Sequence, residues 1–295
     1  MIRHRIPGGY HLVELAEKLG WLNVLVRYRL SDRVSIDVPL NRRETQWAWP
    51  ELSQYERPLV ELLAWKINEL PGPATWVDIG ADIGALTALV ISRAPKINGV
   101  VVVEPNSDVH ELLAKNMELL PCRQPYGSGF ETVGEMVTGA VADFQGVGKL
   151  EHFPTLRSDH SRFLVRDDQG DIRVWRLDDL DIPRGKPLAI KIDIEGGELA
   201  AIRGAKELLQ NAPAWIVAFE AHRLVCERSG IDPCECLKLL RQYGATEFTV
   251  AEARDIRLDD QRPYFEQVPL TVSNVVCVRF SNVVPRPAST DPGRW

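Results

Sequence analysis

The strongest constraint on the fold is a strand, a glycine turn and a helix in immediate succession. The stretch from Trp76 to Thr87 begins as a short apolar strand, turns at Gly80 and Gly84, and continues into a helical pattern. This succession is typical of the first nucleotide-binding unit of a doubly wound α/β sheet. Apolar strands and helical segments alternate after it at the spacing of βαβ units, which predicts a mostly parallel sheet.

The residues around this turn indicate which ligand it suits. In a dinucleotide-binding turn three glycines serve the approach to a pyrophosphate, but here Asp78 and Ile83 occupy the first and last glycine positions. Asp82 lies within the turn, and Glu104 ends the next apolar strand. Three carboxylates would repel a pyrophosphate. They suit a ligand that carries an ammonium, a sulfonium and a ribose diol, so the sequence predicts a site for S-adenosylmethionine.

Three segments together resemble the FkbM-type family of S-adenosylmethionine-dependent methyltransferases. They are residues 77–87, Glu104 with Pro105 and Asn106, and residues 191–198, which are followed by Arg203, Gly204 and Ala205. The resemblance extends from about Tyr55 to Phe280, with Asp82 standing where the family usually has Asn. It implies a class I methyltransferase fold, which is Rossmann-like with a doubly wound, mostly parallel sheet. It also implies O-methylation of a hydroxyl on a saccharide or a secondary metabolite.

The candidate donor-binding residues lie in the glycine turn and at nearby strand ends. Gly80 and Gly84 allow a sharp turn and a close approach of the backbone to the ligand. Asp78 is placed to orient the turn or to accept from an ammonium, and Glu104 to accept from both ribose hydroxyls. Asp143, at the exit of a strand predicted over residues 135–141, is a candidate acceptor for the adenine amino group. The full predicted set is Asp78, Gly80, Asp82, Gly84, Thr87, Glu104, Pro105, Asn106 and Asp143.

A strand predicted over residues 188–195 carries the first candidate catalytic groups. Because side chains alternate along a strand, Lys191, Asp193 and Glu195 are expected on one face, and the intervening isoleucines enter the core. An ammonium within an apolar strand needs a partner, for which Asp193 and Glu220 are the candidates. A structural ion pair and a pair beneath the transferring methyl group are both compatible with this pattern.

A base near the acceptor would assist the reaction, because a neutral hydroxyl is a poor nucleophile. Asp193 is the first candidate, since a neighbouring lysine keeps it ionised. Glu220 and His222 are further candidates at the end of another predicted strand. His160 lies in a polar loop and joins them if that loop folds over the cleft.

Two other functions are compatible with these residues. The carboxylates of Asp193, Glu195 and Glu220 have the oxygen donors that Mg²⁺ prefers, so metal-assisted methyl transfer is one alternative to the metal-free reaction. A cofactor-binding but non-catalytic partner protein is the other. Loss of activity with a chelator would identify the first, and donor binding without turnover on any acceptor would identify the second.

Composition and charge limit the partners. The chain has 295 residues, of which 45% are hydrophobic, and this is ordinary for a globular protein with a sizeable core. Its net charge of −6 disfavours a nucleic-acid partner, which would require a basic face, and leaves a small-molecule or glycan acceptor.

The start of the chain lacks the apolar core of a signal peptide, and no stretch reaches the ~18 apolar residues of a membrane span. We therefore expect a cytoplasmic protein. The five scattered cysteines fit neither a disulfide framework nor a zinc site.

Departures from the βαβ pattern define the expected domain boundaries. Residues 1–54 precede the first core strand and form an N-terminal extension that packs on the domain or caps its cleft. Residues 55–282 form the methyltransferase domain, in which an insertion over residues 144–180 helps to shape the acceptor pocket. Residues 283–295 have the composition of a disordered tail. Within the domain, a single helix is expected over residues 198–210.

Overall fold

A computed structural model describes residues 25–39, 51–121, 134–152 and 162–280. Most of the predicted N-terminal extension, the predicted tail and the loop that contains His160 lie outside these residues. Within the described part of the chain, no helix is both long enough and apolar enough to cross a bilayer.

The strands and helices of the described residues are as follows in chain order. The strands are β1 (Leu25–Arg29), β2 (Ser35–Pro39), β3 (Ala74–Ile79), β4 (Ile97–Glu104), β5 (Gly134–Thr138), β6 (Ala140–Val141), β7 (Gly146–His152), β8 (Arg162–Arg166), β9 (Ile172–Trp175), β10 (Leu188–Ile192), β11 (Ala214–His222), β12 (Glu247–Val250) and β13 (Val272–Phe280). The α-helices are α1 (Arg57–Glu69), α2 (Ala85–Ile91), α3 (Ser107–Glu118), α4 (Glu198–Arg203), α5 (Lys206–Asn211), α6 (Arg223–Ser229), α7 (Pro233–Gln242) and α8 (Tyr264–Gln267). Short 3₁₀ helices cover Glu51–Gln54 and Leu177–Asp179.

A seven-stranded sheet forms the centre of the structure, in the spatial order β12-β13-β11-β10-β3-β4-β5. β13 runs antiparallel to both of its neighbours, whereas the strands from β11 to β5 are parallel to one another. This arrangement confirms the predicted mostly parallel, doubly wound sheet of the class I methyltransferase fold. The strand order reverses between β3 and β10, and open α/β sheets bind their ligands at the carboxyl ends of the strands at such a point.

Apolar side chains cover both faces of the central strands. All six residues of β3 are buried, as expected for a strand in the middle of a parallel sheet. Trp76 packs in one apolar cluster with α1 and α2, and Val77 and Ile79 pack in another with α4, α5 and α7. Because side chains alternate, Asp78 lies on the same face as Trp76, at the end of the strand. A carboxylate thus reaches the ligand-binding edge from within the core.

A second sheet, with the order β6-β9-β7-β8, is built largely from the predicted insertion. The prediction of a single strand over residues 135–141 is wrong, because Gly139 divides this segment into β5 and β6. Gly139 has a φ of +138°, and a Cβ there would lie 2.5 Å from the Arg173 carbonyl oxygen. The chain therefore leaves the main sheet at this glycine and pairs with β9 instead.

The prediction of a single helix over residues 198–210 is also wrong, because this segment is divided into α4 and α5. At the division, Asp178 forms hydrogen bonds with backbone groups that would bond to each other in a continuous helix. Its backbone N–H donates to the Gly204 carbonyl oxygen (2.8 Å), and its carboxylate accepts from the N–H groups of Glu207 (3.1 Å) and Leu208 (2.8 Å). A Cβ on Gly204 would lie 2.2 Å from the Ala142 carbonyl oxygen, so only glycine fits this contact.

Candidate active site

A cleft of about 740 Å³ opens at the carboxyl ends of β3, β4, β10 and β11. Its volume is in the range of small-molecule binding sites. The predicted residues that line it are Asp78, Gly80, Asp82, Glu104, Pro105, Asn106, Asp143, Lys191, Asp193 and Glu220. Among the described residues, Gly84, Thr87 and His222 do not line it. His160 lies outside the described residues.

The glycine turn after β3 is shaped by its contact with the neighbouring strand. Gly80 has a φ of +81°, and a Cβ on it would lie 2.0 Å from the Asp193 carbonyl oxygen. Gly84 has a φ of +80° and lies at the N-terminal end of α2. Glycine adopts this left-handed backbone without steric cost. Gly80 thus lets the turn approach the end of β10, so that the groups at the two strand ends face the same cleft.

A chain of buried hydrogen bonds holds Asp78 in place. The Thr87 hydroxyl donates to Asp78 Oδ2 (2.5 Å), and Trp76 Nε1 donates to the same hydroxyl oxygen (2.9 Å). Burial raises the pKa of Asp78 to about 6, although the Lys191 ammonium and the Thr87 hydroxyl act in the opposite direction. Thr87, which was predicted to bind the donor, therefore acts on the site by orienting Asp78.

Glu104 connects the turn to the end of β4. Its Oε2 accepts from the Asp82 N–H (2.8 Å), and its Oε1 accepts from the Asn106 N–H (2.8 Å). Burial raises the pKa of Glu104 to about 7, against the lowering effect of these two backbone donors. Each carboxylate oxygen can accept a second hydrogen bond, so both retain capacity for a ligand hydroxyl. The Asn106 side chain caps α3 by accepting from the Asp108 N–H (3.2 Å).

Lys191 is almost fully buried, with 2% of its surface exposed, and its ammonium lies among carboxylates. Nζ donates to Asp193 Oδ2 at 2.8 Å. Burial by itself would lower the pKa of Lys191, but the charges of Asp193, Glu56 and Asp78 outweigh burial and raise it. Lys191 thus carries a proton throughout the physiological range and compensates part of the negative charge in the cleft.

Glu56, which sequence reasoning missed, completes this charged cluster. Carboxylate oxygens of Glu56, Asp193 and Glu220 lie within 4.8 Å of one another, which is close enough for a shared cation. Burial raises the pKa of Glu56 to about 7, and burial together with the Asp193 charge raises the pKa of Glu220 well above its usual value. We call Glu56, Lys191, Asp193 and Glu220 the carboxylate cluster. The only sequence signal for Glu56 is an acidic residue directly before the start of α1.

Glu195 does not occupy the predicted position. β10 ends at Ile192, and the following turn places Glu195 at a φ of +56°. Glu198 stabilises that turn, because its Oε1 accepts from the N–H groups of Ile194 (3.2 Å) and Gly196 (3.1 Å). The strand alternation that would have aligned Glu195 with Asp193 is therefore interrupted. Glu195 still lines the cleft, but Glu56 takes the place expected for it beside Asp193 and Glu220.

His222 and Asp143 lie at the periphery. His222 ends β11 on the same face as Glu220, and burial lowers its pKa. Its Nδ1 is buried without a hydrogen-bond partner in the described part of the chain. Asp143 is exposed and forms a 3.9 Å ion pair with Arg203. Of these two residues, only Asp143 faces the cleft.

Strand β8 covers one side of the cleft and contacts two elements of the main domain. Arg162 donates to Asn106 Oδ1 (3.2 Å) and pairs with Asp108 (3.5 Å) at the start of α3. The Arg228 guanidinium stacks on the Phe163 ring at 3.6 Å and donates to the Glu195 carbonyl oxygen (2.7 Å). The second sheet therefore forms a wall of the same cleft that contains the carboxylate cluster.

The sequence matches the family described as the Methyltransferase FkbM domain over residues 78–246, which is more than half of the chain. No curated protein matches it. Similar solved structures include the methyltransferase FkbM of Methylobacillus flagellatus KT, with 18% identity and a TM-score of 0.40 over 69% of this chain and 43% of that chain. This chain therefore spans less than half of the Methylobacillus protein.

Two further structures are similar at lower identity. The precorrin-6y C5,15-methyltransferase of Geobacter metallireducens GS-15 has 14% identity and a TM-score of 0.39 over 77% of this chain and 88% of that chain. A putative methyltransferase of Escherichia coli has 12% identity and a TM-score of 0.40 over 87% of this chain and 100% of that chain. The family match shows that the chain belongs to the FkbM methyltransferase family.

Proposed function

We propose that the cleft binds S-adenosylmethionine and that the protein methylates a hydroxyl group of a saccharide or a secondary metabolite by in-line transfer. The observation that carries this proposal is a buried lysine–carboxylate cluster in the same cleft as the glycine turn and Glu104. The hydroxyl acceptor itself follows from the resemblance to the FkbM family.

The residues of the cleft fit the methyl donor. Glu104 would accept hydrogen bonds from the ribose hydroxyls, since both of its oxygens keep accepting capacity. Asp78 would accept from the ammonium of the methionine portion, directly or through water, and Asp143 would accept from the adenine amino group. Asp82 and Asn106 hold Glu104 through their backbone N–H groups. When bound, the donor supplies a methyl group on a positively charged sulfur, which suits a cleft lined by carboxylates.

The carboxylate cluster would serve the acceptor. Its carboxylates offer hydrogen-bond acceptors to a hydroxyl, and positioning of that hydroxyl contributes several kcal/mol to such reactions. A base that removes the hydroxyl proton contributes typically 10²–10⁴-fold. Asp193, which Lys191 holds at the end of β10 next to the turn that would carry the donor, would accept a hydrogen bond from the hydroxyl and position it.

Donor choice is tested by calorimetry. We expect micromolar binding of S-adenosylmethionine and of S-adenosylhomocysteine, and no measurable binding of nicotinamide dinucleotides. Preferential binding of a dinucleotide would contradict the assignment of the cleft.

Reaction type is tested by transfer of a radioactive methyl group to a panel of methyl glycosides and polyhydroxylated metabolites. We expect label in an ether product, and we expect Asp193→Asn to bind S-adenosylhomocysteine normally but to lose most turnover. A chelator should leave the rate unchanged, because the Lys191 ammonium already provides a positive charge within the cluster. Loss of activity with the chelator would favour the magnesium alternative. Donor binding without label transfer to any acceptor would favour the non-catalytic one.

A further inference from the structure

We propose that Glu56 is the group that faces the transferring methyl and accepts the proton of the acceptor hydroxyl. This inference rests on the proposed methyl transfer and assigns one of its roles to a residue outside the segment that matches the family. That segment begins at Asp78, whereas Glu56 precedes α1.

The backbone holds Glu56 at the edge of the cleft. Glu56 has a φ of +43° and a ψ of +34°, a left-handed conformation that is uncommon for a residue with a side chain. Its carbonyl oxygen accepts from the Val60 N–H (2.9 Å) in the first turn of α1, a helix whose apolar face packs on the main sheet. Glu56 therefore enters the cleft from a rigid helix start, and it lines the cleft together with Asp193 and Glu220.

Hydrogen bonding distinguishes Glu56 from Asp193 within the cluster. Asp193 already accepts from Lys191 at 2.8 Å. Glu56 Oε2 is buried and has no hydrogen-bond partner in the described residues. A buried acceptor without a partner is costly for a folded protein, and such atoms need an explanation. A donor that arrives with the substrate supplies one, and the hydroxyl of the acceptor is such a donor.

Charge favours the same assignment. The groups that act on Glu56 are the ammonium of Lys191 and the carboxylates of Asp193, Glu252 and Asp78. Burial and the charge of Asp193 raise the pKa of Glu220 well above its usual value, and the charge of Glu56 adds to this. The pKa of Glu56 itself is raised by burial to about 7. A base works best when its pKa lies near the working pH, and a pKa of about 7 meets this condition for Glu56.

The proton transfer balances with the methyl transfer. As the hydroxyl oxygen forms its bond to the methyl carbon, the electron pair of the carbon–sulfur bond moves to sulfur and the O–H bond breaks. Glu56 takes that proton on Oε2. The positive charge of the sulfonium and the negative charge of the carboxylate are both removed, so the products leave a neutral carboxylic acid beside a neutral thioether.

The test uses sinefungin, an analogue of the donor in which a carbon bearing an ammonium replaces the sulfur bearing the methyl. If Glu56 faces the methyl position, its carboxylate binds this ammonium, and the full-length wild-type protein prefers sinefungin to S-adenosylhomocysteine at pH 8. A charge-assisted hydrogen bond corresponds to a preference of about tenfold or more. Calorimetry with both ligands measures it without any acceptor.

The variants make the assignment specific. Glu56→Gln should reduce the preference to near unity while changing S-adenosylhomocysteine affinity by less than about threefold. Glu61→Gln is the matched control, since it removes an exposed carboxylate from the same helix and should keep the full preference. Glu56→Asp should keep a reduced preference, which tests the role even if Glu56→Gln fails to fold.

Three results would overturn the inference. They are a wild-type protein that binds both ligands equally, a Glu56→Gln protein that keeps the wild-type preference, and a folded Glu56→Gln protein that loses both ligands alike. Failure of the wild-type protein to bind either ligand would instead refute the proposed donor site itself.

Discussion

The buried carboxyl group of Glu104 predicts that donor affinity depends on pH. Its pKa is raised to about 7 by burial, so it is largely protonated in the unliganded protein under mildly acidic conditions. Both of its oxygens already accept a backbone N–H, and only the ionised form retains full capacity to accept two ribose hydroxyls as well. The form that is competent to bind is therefore the minor one at low pH.

The size of the effect follows from the fraction that is ionised. With a pKa of about 7, roughly one tenth of Glu104 is ionised at pH 6 and roughly nine tenths at pH 8. Apparent affinity scales with the competent fraction, so the Kd of S-adenosylhomocysteine should fall about tenfold between these values. Glu104→Gln removes the titration, and it should also weaken binding by about 1–3 kcal/mol through the loss of charged hydrogen bonds.

The measurement is calorimetry with S-adenosylhomocysteine at pH 6, 7 and 8. We expect a steep profile for the wild type and a much shallower one for Glu104→Gln, with Asp78 and Glu56 contributing the remainder. Glu111→Gln is the control, because it removes an exposed carboxylate from α3, directly after the same strand, and should keep the wild-type profile. If Glu104→Gln bound the ligand as tightly as the wild type with the same slope, Glu104 would not hold the ribose.

Three further predictions concern the unliganded protein. Lys191→Met leaves the carboxylate of Asp193 without its buried partner and should destabilise the fold by about 3–5 kcal/mol, measured by denaturant unfolding. Gly80→Ala should destabilise the fold by more than about 1–2 kcal/mol, because alanine is strained in a left-handed backbone and its Cβ would lie 2.0 Å from the Asp193 carbonyl oxygen. Gly72→Ala is the control and should be nearly neutral, because no atom lies within 4 Å of a Cβ at that position. The stability of the wild type should fall as pH rises from about 4.5 to about 7, since the raised pKa of Glu104 means that folding favours its protonated form. Glu104 contributes about 3 kcal/mol to this loss of unfolding free energy. Denaturant unfolding at several pH values should show that Glu104→Gln lacks this contribution.

Local sequence signals predicted the glycine turn and the acidic end of β4, because these features are built from residues close together in the chain. The apolar run of β3, the turn at Gly80 and the acidic end of β4 all belong to one βαβ unit. Asn106 precedes a helical apolar repeat and caps α3 as its residue type favours. Each of these features depends on neighbours within a few positions, so periodicity and residue type were sufficient to place them.

The breaks in two predicted elements could not be predicted in the same way, because long-range contacts cause them. The residues up to 141 have the alternation of one strand, but Gly139 allows the chain to leave the main sheet and to pair with β9. The residues from 198 have the apolar pattern of one helix, but Asp178 takes over the hydrogen bonds of the helix at Gly204. In both cases the partner is far away in sequence, and local propensity contains no information about it.

The carboxylate cluster shows which partners a single buried charge requires from the rest of the fold. Lys191 lies in an apolar strand, and its one local partner, Asp193, is 28% exposed while the ammonium is almost fully buried. Strand periodicity predicted Glu195 on the same face as Lys191 and Asp193, but a two-residue repeat holds only while the strand continues, and β10 ends at Ile192. The additional negative charge comes instead from Glu56, through the packing of α1 on the sheet, and from Asp78 at the end of β3. A lysine in an apolar strand is thus a signal for carboxylates beyond its own strand, because a buried ammonium needs compensating negative charge.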